Sequence, residues 1–254
     1  MNDSKAEKPE YGNWILPRFV YLPALAALLF LGLSYIFLPF IGAASFCLLV
    51  SGYLAYARYR FSPAGGDLQA EIRAGVLSHL DWDGKGTALD VGCGNGALVS
   101  QMAQKYREAK VVGIDYWGPK WEYSKGVCSR NARLEGVAQR VVFQNASGSA
   151  LPFKEGCFEV VISNLAFHEV RDAKDKREVI REALRVVKKG GRFVFQDLFL
   201  LRRIYGQIDD LVAAVRGMGI TRVKFVRTGN APFIPTVLKL PAMVGALGIL
   251  YGEK

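Results

Sequence analysis

The sequence predicts an α/β domain with a seven-stranded, mostly parallel sheet and a reversed last strand, preceded by an N-terminal hairpin of two apolar helices. Three observations predict this fold. Residues 19–57 contain no charged side chain. From Thr87 onward, short β-branched or apolar runs alternate with longer amphipathic ones, the pattern of a parallel sheet covered by helices. Three prolines between Val226 and Met243 leave no crossover helix there, so the last strand returns antiparallel as a reversed edge hairpin.

The charge-free segment predicts a membrane anchor. As one helix its 39 residues would be about 58 Å long, nearly twice the roughly 30 Å hydrocarbon core. Pro39 and Gly42 therefore predict a turn between helices over about residues 19–37 and 40–57. Arg18, before the first helix, and the arginines just after the second place both ends on the cytoplasmic side of the membrane. Two alternatives remain open: a buried helical pair of a soluble fold, and a hairpin that enters one leaflet only.

The run "RYRFSPAGGDLQAE" shifts from apolar residues to proline, glycine and charge, which is typical of a linker. The predicted domains are therefore an anchor over residues 1–60 and an α/β domain over residues 61–254. The predicted strands of that domain are Thr87–Val91, Lys110–Asp115, Arg140–Gln144, Phe158–Ser163, Arg192–Asp197, Thr221–Val226 and Met243–Leu250. The predicted helices are Asp67–Leu80, Gly96–Tyr106, Lys120–Glu135, Asp172–Val187 and Tyr205–Met218.

Composition restricts the function classes. The net charge of +10 suits an anionic partner, either nucleic acid or the cytoplasmic face of a membrane. The four cysteines form no CxxC pair and only two histidines occur, so we expect no metal site.

The stretch "ALDVGCGNGALVS" is the strongest motif. Gly92, Gly94 and Gly96 follow a predicted strand and open a predicted helix, a context in which glycines let the backbone approach a ligand. The spacing also fits a dinucleotide fingerprint, and Asp115 at the end of the next strand suits ribose hydroxyls in either case. Asp90, two residues before the first glycine, favours a cationic ligand such as a sulfonium over a pyrophosphate.

Four runs in order, "LDVGCGNGALV", "VVGIDYW", "SALPFKEGCFEVVISNLAFHEV" and "ALRVVKKGGRFVFQDL", resemble the successive motifs of the class I S-adenosylmethionine-dependent methyltransferases, in the branch related to small-molecule and lipid methyltransferases. The resemblance covers about residues 68–251 and implies a Rossmann-like sheet with a reversed last strand. It implies S-adenosyl-L-methionine as the cofactor.

The resemblance also implies roles for particular residues. Asp90 and the three glycines would contact the methionine part of the donor, and Asp115 would bind both ribose hydroxyls. Tyr116 or Trp117 would pack on adenine, although both are also read as structural aromatic residues. The acid expected before "LPF" is absent, so Asn145 or Ser147 takes its place. Asn164 and His168 would face both the donor and the substrate.

Methyl transfer from a sulfonium needs a general base only if the acceptor arrives protonated, and His168 with Glu169 is the candidate. The predicted anchor favours a lipid-like or hydrophobic small-molecule acceptor, with the membrane as a partner. Two alternatives remain: a protein or RNA acceptor, and a non-catalytic scaffold that binds S-adenosylmethionine. Because the sequence has no recognisable nucleic-acid module, we expect no nucleic acid partner. The oligomeric state is not predicted.

Overall fold

The computed structural model describes residues 7–118 and 123–254 of the chain. This part forms two compact units: residues 13–72 are one, and the rest of the described chain is the other. The predicted boundary at residue 60 lies inside the first unit. Residues 61–69 belong to that unit because they contact residues near its start. Trp14 packs on Phe61, with 5.5 Å between ring centroids, and the Trp14 backbone N–H donates to Oε1 of Gln69 over 2.7 Å.

The first unit is a helical hairpin. Helix α1 spans Pro17–Leu33 and helix α2 spans Phe40–Arg60. The Ser51 hydroxyl of α2 donates to the Val20 carbonyl of α1 over 2.9 Å, and the rings of Phe30 and Phe40 stack, so the helices run antiparallel. Helix α1 ends at Leu33, four residues before the predicted end, because successive turns carry the chain to α2. Among the described helices, α2 alone is long and apolar enough to cross a bilayer; α1 is apolar but shorter.

The second unit is built on a seven-stranded mixed sheet with a Rossmann-like fold. Its order is β3-β2-β1-β4-β5-β7-β6. Strands β1 to β5 are parallel, and β7 pairs antiparallel with both β5 and β6. The strands are β1 Thr87–Val91, β2 Lys110–Asp115, β3 Val141–Asn145, β4 Phe158–Asn164, β5 Val187–Asp197, β6 Arg222–Arg227 and β7 Gly248–Glu253.

The reversed last strand and its edge hairpin with the preceding strand are confirmed. Strand β7 lies inside the sheet, and β6 is the edge strand. Strand β7 begins at Gly248 rather than Met243, because residues 240–247 form consecutive turns before the chain enters the sheet. A strand with a neighbour on each side has more of its backbone N–H and C=O groups hydrogen-bonded than an edge strand has, which favours the inner position for the apolar β7.

The remaining helices cover the sheet. The predicted helix over Lys120–Glu135 starts later, at Lys125, and its residues 120–122 lie outside the described part of the chain. These helices are α3 Leu68–Ser78, α4 Ala97–Lys105, α5 Lys125–Leu134, α6 Lys176–Arg185, α7 Arg202–Tyr205 and α8 Ile208–Arg216.

Parallel strands place several polar side chains at one edge of the sheet. Gly92 follows β1, while Asp115, Asn164 and Asp197 are the last residues of β2, β4 and β5. Below this edge the strand interiors are apolar and fully buried, for example Leu89, so the core fixes the strand ends. Ligands of open α/β sheets bind at the carboxyl ends of the strands, and the candidate site lies there.

Candidate active site

The glycine loop turns sharply between β1 and α4. The backbone N–H groups of Gly92 and Cys93 both donate to the Ile114 carbonyl of β2, over 2.8 and 2.9 Å. Gly92 has a φ of 80°, and a Cβ there would lie 2.1 Å from the Cβ of Ala166. Gly96, with a φ of 81°, caps α4, and a Cβ there would lie 3.1 Å from the Phe143 ring. Both positions have a positive φ, which favours glycine, and a Cβ would press on Ala166 at Gly92 and on the Phe143 ring of β3 at Gly96.

Asp115 fastens this loop to the end of β2. Its Oδ2 accepts from the Gly94 N–H and its Oδ1 accepts from the Trp117 N–H, both over 2.9 Å. The Trp117 indole Nε1 donates to the Gly94 carbonyl over 2.8 Å, which closes a ring of contacts. Burial raises the pKa of Asp115, and the N–H groups of Trp117, Gly94 and Tyr116 oppose that rise.

Asp90 is a buried carboxylate without a hydrogen-bond donor. It is 1% exposed, and neither of its side-chain oxygens has a hydrogen-bond partner in the described part of the chain. Burial, and then the charge of Asp115, raise the pKa of Asp90 to about 8. A buried carboxylate without a donor is costly, and a cation beside it removes that cost. This residue therefore fits a positively charged ligand on the glycine loop.

Asn164 adds a second unsatisfied acceptor at the same edge. Its Oδ1 is buried and has no hydrogen-bond partner among the described residues. The next residue, Leu165, has a φ of 56°, and its N–H donates to the Gln196 carbonyl over 2.8 Å. This left-handed turn directs the chain back toward the glycine loop, where Ala166 faces Gly92.

The residues expected at adenine have protein partners. Tyr116 is mostly exposed, and its carbonyl accepts from Nδ2 of Asn145 over 2.7 Å. The hydroxyls of Ser147 and Ser149 donate to Oδ2 of Asp172 over 2.9 and 2.6 Å. These bonds, with that of Ser149 first, hold the pKa of Asp172 below its usual range. Asp172, 25 positions after Ser147, thus places a carboxylate beside this stretch.

His168 is held by a buried carboxylate. Its Nδ1 lies 2.6 Å from Oδ1 of Asp197, and Asp197 is fully buried at the end of β5. Asp197 also accepts from the backbone N–H groups of Phe167 and Leu198, over 2.9 and 2.6 Å, so its carboxylate is fixed in place. A proton on Nδ1 directed at Asp197 makes Nε2 the basic nitrogen of the ring. Glu169 lies farther away, with 3.7 Å between its Oε1 and Nε2 of His168.

Tyr205 completes the surroundings of this pair. Burial and the neighbouring charge of Asp197 raise the pKa of Tyr205 well above its ordinary value. The phenol therefore stays neutral beside the carboxylate. Residues 7–118 and 123–254 contain no group of three metal-ligating side chains that could hold an ion.

Comparison with known proteins identifies the domain. A family model described as a methyltransferase domain matches residues 89–195, which run from β1 to β5. This segment of the sheet unit matches the family of S-adenosylmethionine-dependent methyltransferase domains. S-adenosylmethionine is the cofactor of that family, and the orphaned Asp90 carboxylate fits its positive charge.

Curated relatives match this methyltransferase domain over part of their length. The 27-O-demethylrifamycin SV methyltransferase of Amycolatopsis mediterranei (strain S699) is 34% identical over 44% of this chain and 39% of its own. The ribosomal RNA small subunit methyltransferase C of Shigella flexneri serotype 5b (strain 8401) is 32% identical over 52% of this chain and 36% of its own. The chain thus spans less than half the length of either relative.

Solved structures share the fold of the methyltransferase domain. A geranyl diphosphate methyltransferase in complex with S-adenosylmethionine superposes with a TM-score of 0.53 at 17% identity, covering 78% of this chain and 89% of its own. This similarity shows the common fold.

Sequence reasoning missed two acids of the site, Asp172 and Asp197. A signal existed for Asp197, because it ends a predicted strand at the edge that carries the glycine loop. No local pattern marks Asp172, whose place depends on the fold of the segment between β4 and α6.

Proposed function

We propose that the protein is a membrane-anchored methyltransferase that moves a methyl group from S-adenosylmethionine to a lipid-like or otherwise hydrophobic small molecule. The observation that carries this proposal is the pair of buried Asp197 and half-buried His168, 2.6 Å apart, at the same end of the sheet as the glycine loop. A base fixed at this end suits an acceptor that must lose a proton, such as a hydroxyl.

Donor binding is assigned to the loop after β1 and to the end of β2. Asp90 and Asn164 would accept from the cationic methionine end, since both present buried oxygens without donors in the described chain. Asp115 uses one lone pair on each oxygen for the loop, so its carboxylate retains capacity for ribose hydroxyls. When bound, S-adenosylmethionine supplies a methyl group on a positively charged sulfur.

Adenine is assigned to the surroundings of Tyr116, Asn145 and Ser147. The exposed Tyr116 ring offers a surface for stacking, while Trp117 holds the glycine loop through its indole N–H. Asn145 positions Tyr116 by donating a hydrogen bond to the Tyr116 carbonyl. The Ser147 hydroxyl donates to the carboxylate of Asp172.

His168 would take the acceptor proton at Nε2. Asp197 holds the ring in the required tautomer and stabilises the positive charge that the ring acquires. Glu169 lies on the Nε2 side and adds to that stabilisation without a direct hydrogen bond. Enzymatic methyl transfer also depends on holding the acceptor in line and excluding water.

The helical hairpin is the proposed anchor, with the methyltransferase domain on the cytoplasmic side. Helix α2 spans about 31 Å, the thickness of a hydrocarbon core. Its apolar side chains are largely exposed, for example Phe46, Leu48 and Leu49, which distinguishes it from the core helix of a soluble protein. An enzyme held at a bilayer meets acceptors that partition into it, which favours a hydrophobic acceptor over RNA.

The test is transfer of labelled methyl from S-adenosylmethionine in membranes that carry the full chain. Asp115→Ala serves as the inactive variant, and Asp209→Ala, at an exposed acid in the first turn of α8, is the matched control. After the reaction, organic-soluble, protein and nucleic-acid fractions are separated. We expect label in the organic extract with the wild type and Asp209→Ala, and none with Asp115→Ala.

Two other outcomes contradict the proposal. Label confined to protein or RNA assigns a polymer acceptor, in keeping with the ribosomal RNA relative. Intact donor binding with no label in any fraction, after total membrane lipids are added, assigns a non-catalytic scaffold.

A further inference from the structure

The connection between β6 and β7, residues 228–247, has a defined shape. Backbone hydrogen bonds close successive turns, among them Leu238 N–H to the Pro235 carbonyl over 2.9 Å and Gly245 N–H to the Leu240 carbonyl over 3.0 Å. A Cβ on Gly229 would lie 2.5 Å from the Gly245 carbonyl oxygen, so the two ends of this segment touch through their backbones. We call residues 231–245 the apolar loop.

The apolar loop has two faces. Ile234, Leu238 and Val244 are buried and fix it to the methyltransferase domain. A second set points outward: Phe233 is 43% exposed, Val237 54% and Leu240 51%. Pro241 and Ala242 beside them are exposed as well. A loop with enough buried side chains to hold its shape thus presents three large apolar groups to solvent.

The charges around this tip are positive. The chain has no Asp or Glu between Asp210 and Glu253. Lys239 lies in the loop, and the exposed Arg227 precedes it at the end of β6. Arg202 and Arg203 of α7 are exposed close to the end of the loop, because the nearby Leu200 N–H donates to the Ala246 carbonyl over 3.1 Å. Apolar side chains bordered by lysine and arginine are the pattern of segments that lie in the interface of an anionic bilayer.

The apolar loop enters β7 beside the carboxyl end of β5, where Asp197 holds His168. Gly248, the first residue of β7, pairs with Asp197 of β5, and the N–H groups of Thr228 and Gly229 donate to the Leu247 carbonyl. The residue that holds His168 is therefore the direct neighbour of the strand on which the loop ends. A bilayer that docks on this loop therefore brings the molecules dissolved in it to the end of the sheet that carries Asp197 and His168.

We propose that the apolar loop is a membrane-docking surface, which inserts Phe233, Val237 and Leu240 at the boundary between headgroups and acyl chains of an anionic bilayer. The docking depends on residues of the methyltransferase domain alone. Its consequence rests on the proposed function: the acceptor enters from the bilayer beside His168. A second copy of this chain is less suited to the loop, because the cations that border the tip would repel one another.

The test places an environment-sensitive nitrobenzoxadiazole label on the full chain in vesicles. Val237→Cys carries the label in a background in which Cys47 and Cys157 are serine; Cys93 and Cys128 are buried. Val142→Cys is the matched control, because Val142 is a comparably exposed valine, 61% against 54% for Val237, on β3 at the far edge of the sheet. A third protein keeps Cys47 of α2 as a reporter of the hairpin.

With vesicles of phosphatidylcholine and phosphatidylglycerol, we expect the Val237→Cys label to shift its emission to the blue and to be quenched by nitroxide-bearing acyl chains. The Val142→Cys label should keep the emission it shows in buffer. Replacing Arg227 and Lys239 with Gln should reduce the shift at Val237→Cys to that seen with phosphatidylcholine alone, since the cations favour anionic lipid.

Equal emission from the Val237→Cys and Val142→Cys labels overturns the inference. A concentration-dependent blue shift at Val237→Cys without vesicles also overturns it, and assigns the loop to self-association. The Cys47 label distinguishes failure of loop docking from failure of the proposed anchor. A blue-shifted Cys47 label with an unshifted Val237→Cys label rejects docking by the apolar loop and retains insertion of the hairpin. The reverse pattern rejects the hairpin and retains the loop.

Discussion

Nδ1 of His168 lies 2.6 Å from Oδ1 of Asp197, although 29 residues separate them in the sequence. Asp197 is buried at the end of β5 and is fixed by two backbone N–H groups, while His168 sits in the turn that follows β4. The carboxylate therefore determines which ring nitrogen accepts a proton. This relationship leads directly to the first prediction.

Asp197→Asn should lower kcat on the order of 10²-fold to 10⁴-fold, the range of a general base, if the acceptor is a hydroxyl. An amide in place of the carboxylate disfavours the tautomer with a basic Nε2. The acid limb of the kcat–pH profile should move to lower pH, because a carboxylate that stabilises the imidazolium is gone. Methyl transfer is measured from pH 5 to 9, with donor affinity by calorimetry as the control for folding of the site.

Because Asp197 acts through His168, the two changes should not add. The double variant with His168→Asn and Asp197→Asn should lose no more than about the larger of the single losses. Glu169→Gln should have a smaller effect, since Glu169 makes no direct bond to the ring at 3.7 Å. Wild-type kcat in Asp197→Asn would show that acceptor deprotonation is not part of the reaction.

Donor binding should release a proton below pH 8. The pKa of Asp90 is raised to about 8, first by burial and then by the charge of Asp115, so the carboxyl holds a proton at pH 7. A cation beside it favours the charged form, and affinity for the donor should rise with pH up to about 8. Calorimetry of S-adenosylmethionine binding in two buffers of different ionisation enthalpy measures the proton released.

Asp90→Asn should abolish that proton release and weaken donor binding. Asp175→Asn, at the half-exposed acid that caps α6, should leave both unchanged, because Arg177 holds the pKa of Asp175 below its usual range and that acid carries no proton at pH 7. Identical heats in both buffers for the wild type would place Asp90 away from the donor's positive charge.

The same residue should link stability to pH. A carboxyl whose pKa is raised in the folded state keeps its proton there while the unfolded chain loses it. The free energy of unfolding should therefore fall as pH rises from about 4 to 8 and should level off above that. Asp90→Asn removes the effect, so its gain in melting temperature over the wild type should be larger at pH 8 than at pH 5. An equal difference at both values contradicts the raised pKa.

Asp115 should give the protein its preference for a donor that carries both ribose hydroxyls. Asp115→Ala should abolish donor binding in calorimetry, both by loss of the ribose contact and by release of the Gly94 and Trp117 N–H groups. The milder Asp115→Asn should lose the preference of the wild type for S-adenosylmethionine over its 2′-deoxyribose analogue. Retained preference in that variant would assign ribose recognition to another residue.

A charge in the middle of α2 should prevent insertion of the hairpin. Leu49→Lys places an ammonium at the centre of the helix, at a cost of about 3 kcal/mol on insertion scales. Tyr59→Lys puts the same charge at an exposed position near the helix end, where it reaches the interface and is tolerated. In alkaline extraction of membranes, Leu49→Lys should leave the pellet and Tyr59→Lys should remain. Equal sedimentation of both would refute insertion of α2.

Local patterns in the sequence predicted much of the fold. The strands Thr87–Val91 and Lys110–Asp115 have the bounds that were expected, because each is a short apolar run bordered by turn residues. The glycine loop needed no knowledge of distant residues either, since Gly92 to Gly96 lie between a strand and a helix that are adjacent in the chain. The reversed last strand followed from three prolines that exclude a crossover helix.

Other features depend on contacts between residues far apart in the chain. The insertion of β7 between β5 and β6 depends on which partners satisfy its backbone, and no pattern within residues 248–253 shows that choice. The placement of Trp117 at adenine stays a prediction, and the sequence did not show that its indole N–H donates to the Gly94 carbonyl, 23 residues away. The sequence shows that residue 117 is aromatic, but it does not show which backbone carbonyl the indole binds.

The sequence by itself determined the strand–helix alternation, the apolar hairpin and the glycine loop between Asp90 and the helix that follows, because each is a property of neighbouring residues. The tertiary structure alone decided that Asp197 holds His168, that Asp172 meets Ser147, and that the loop before β7 ends beside Asp197. Parallel strands bring their carboxyl ends to one edge whatever their separation in the chain. Which side chains meet there is settled by register and packing, and these are properties of the whole sheet.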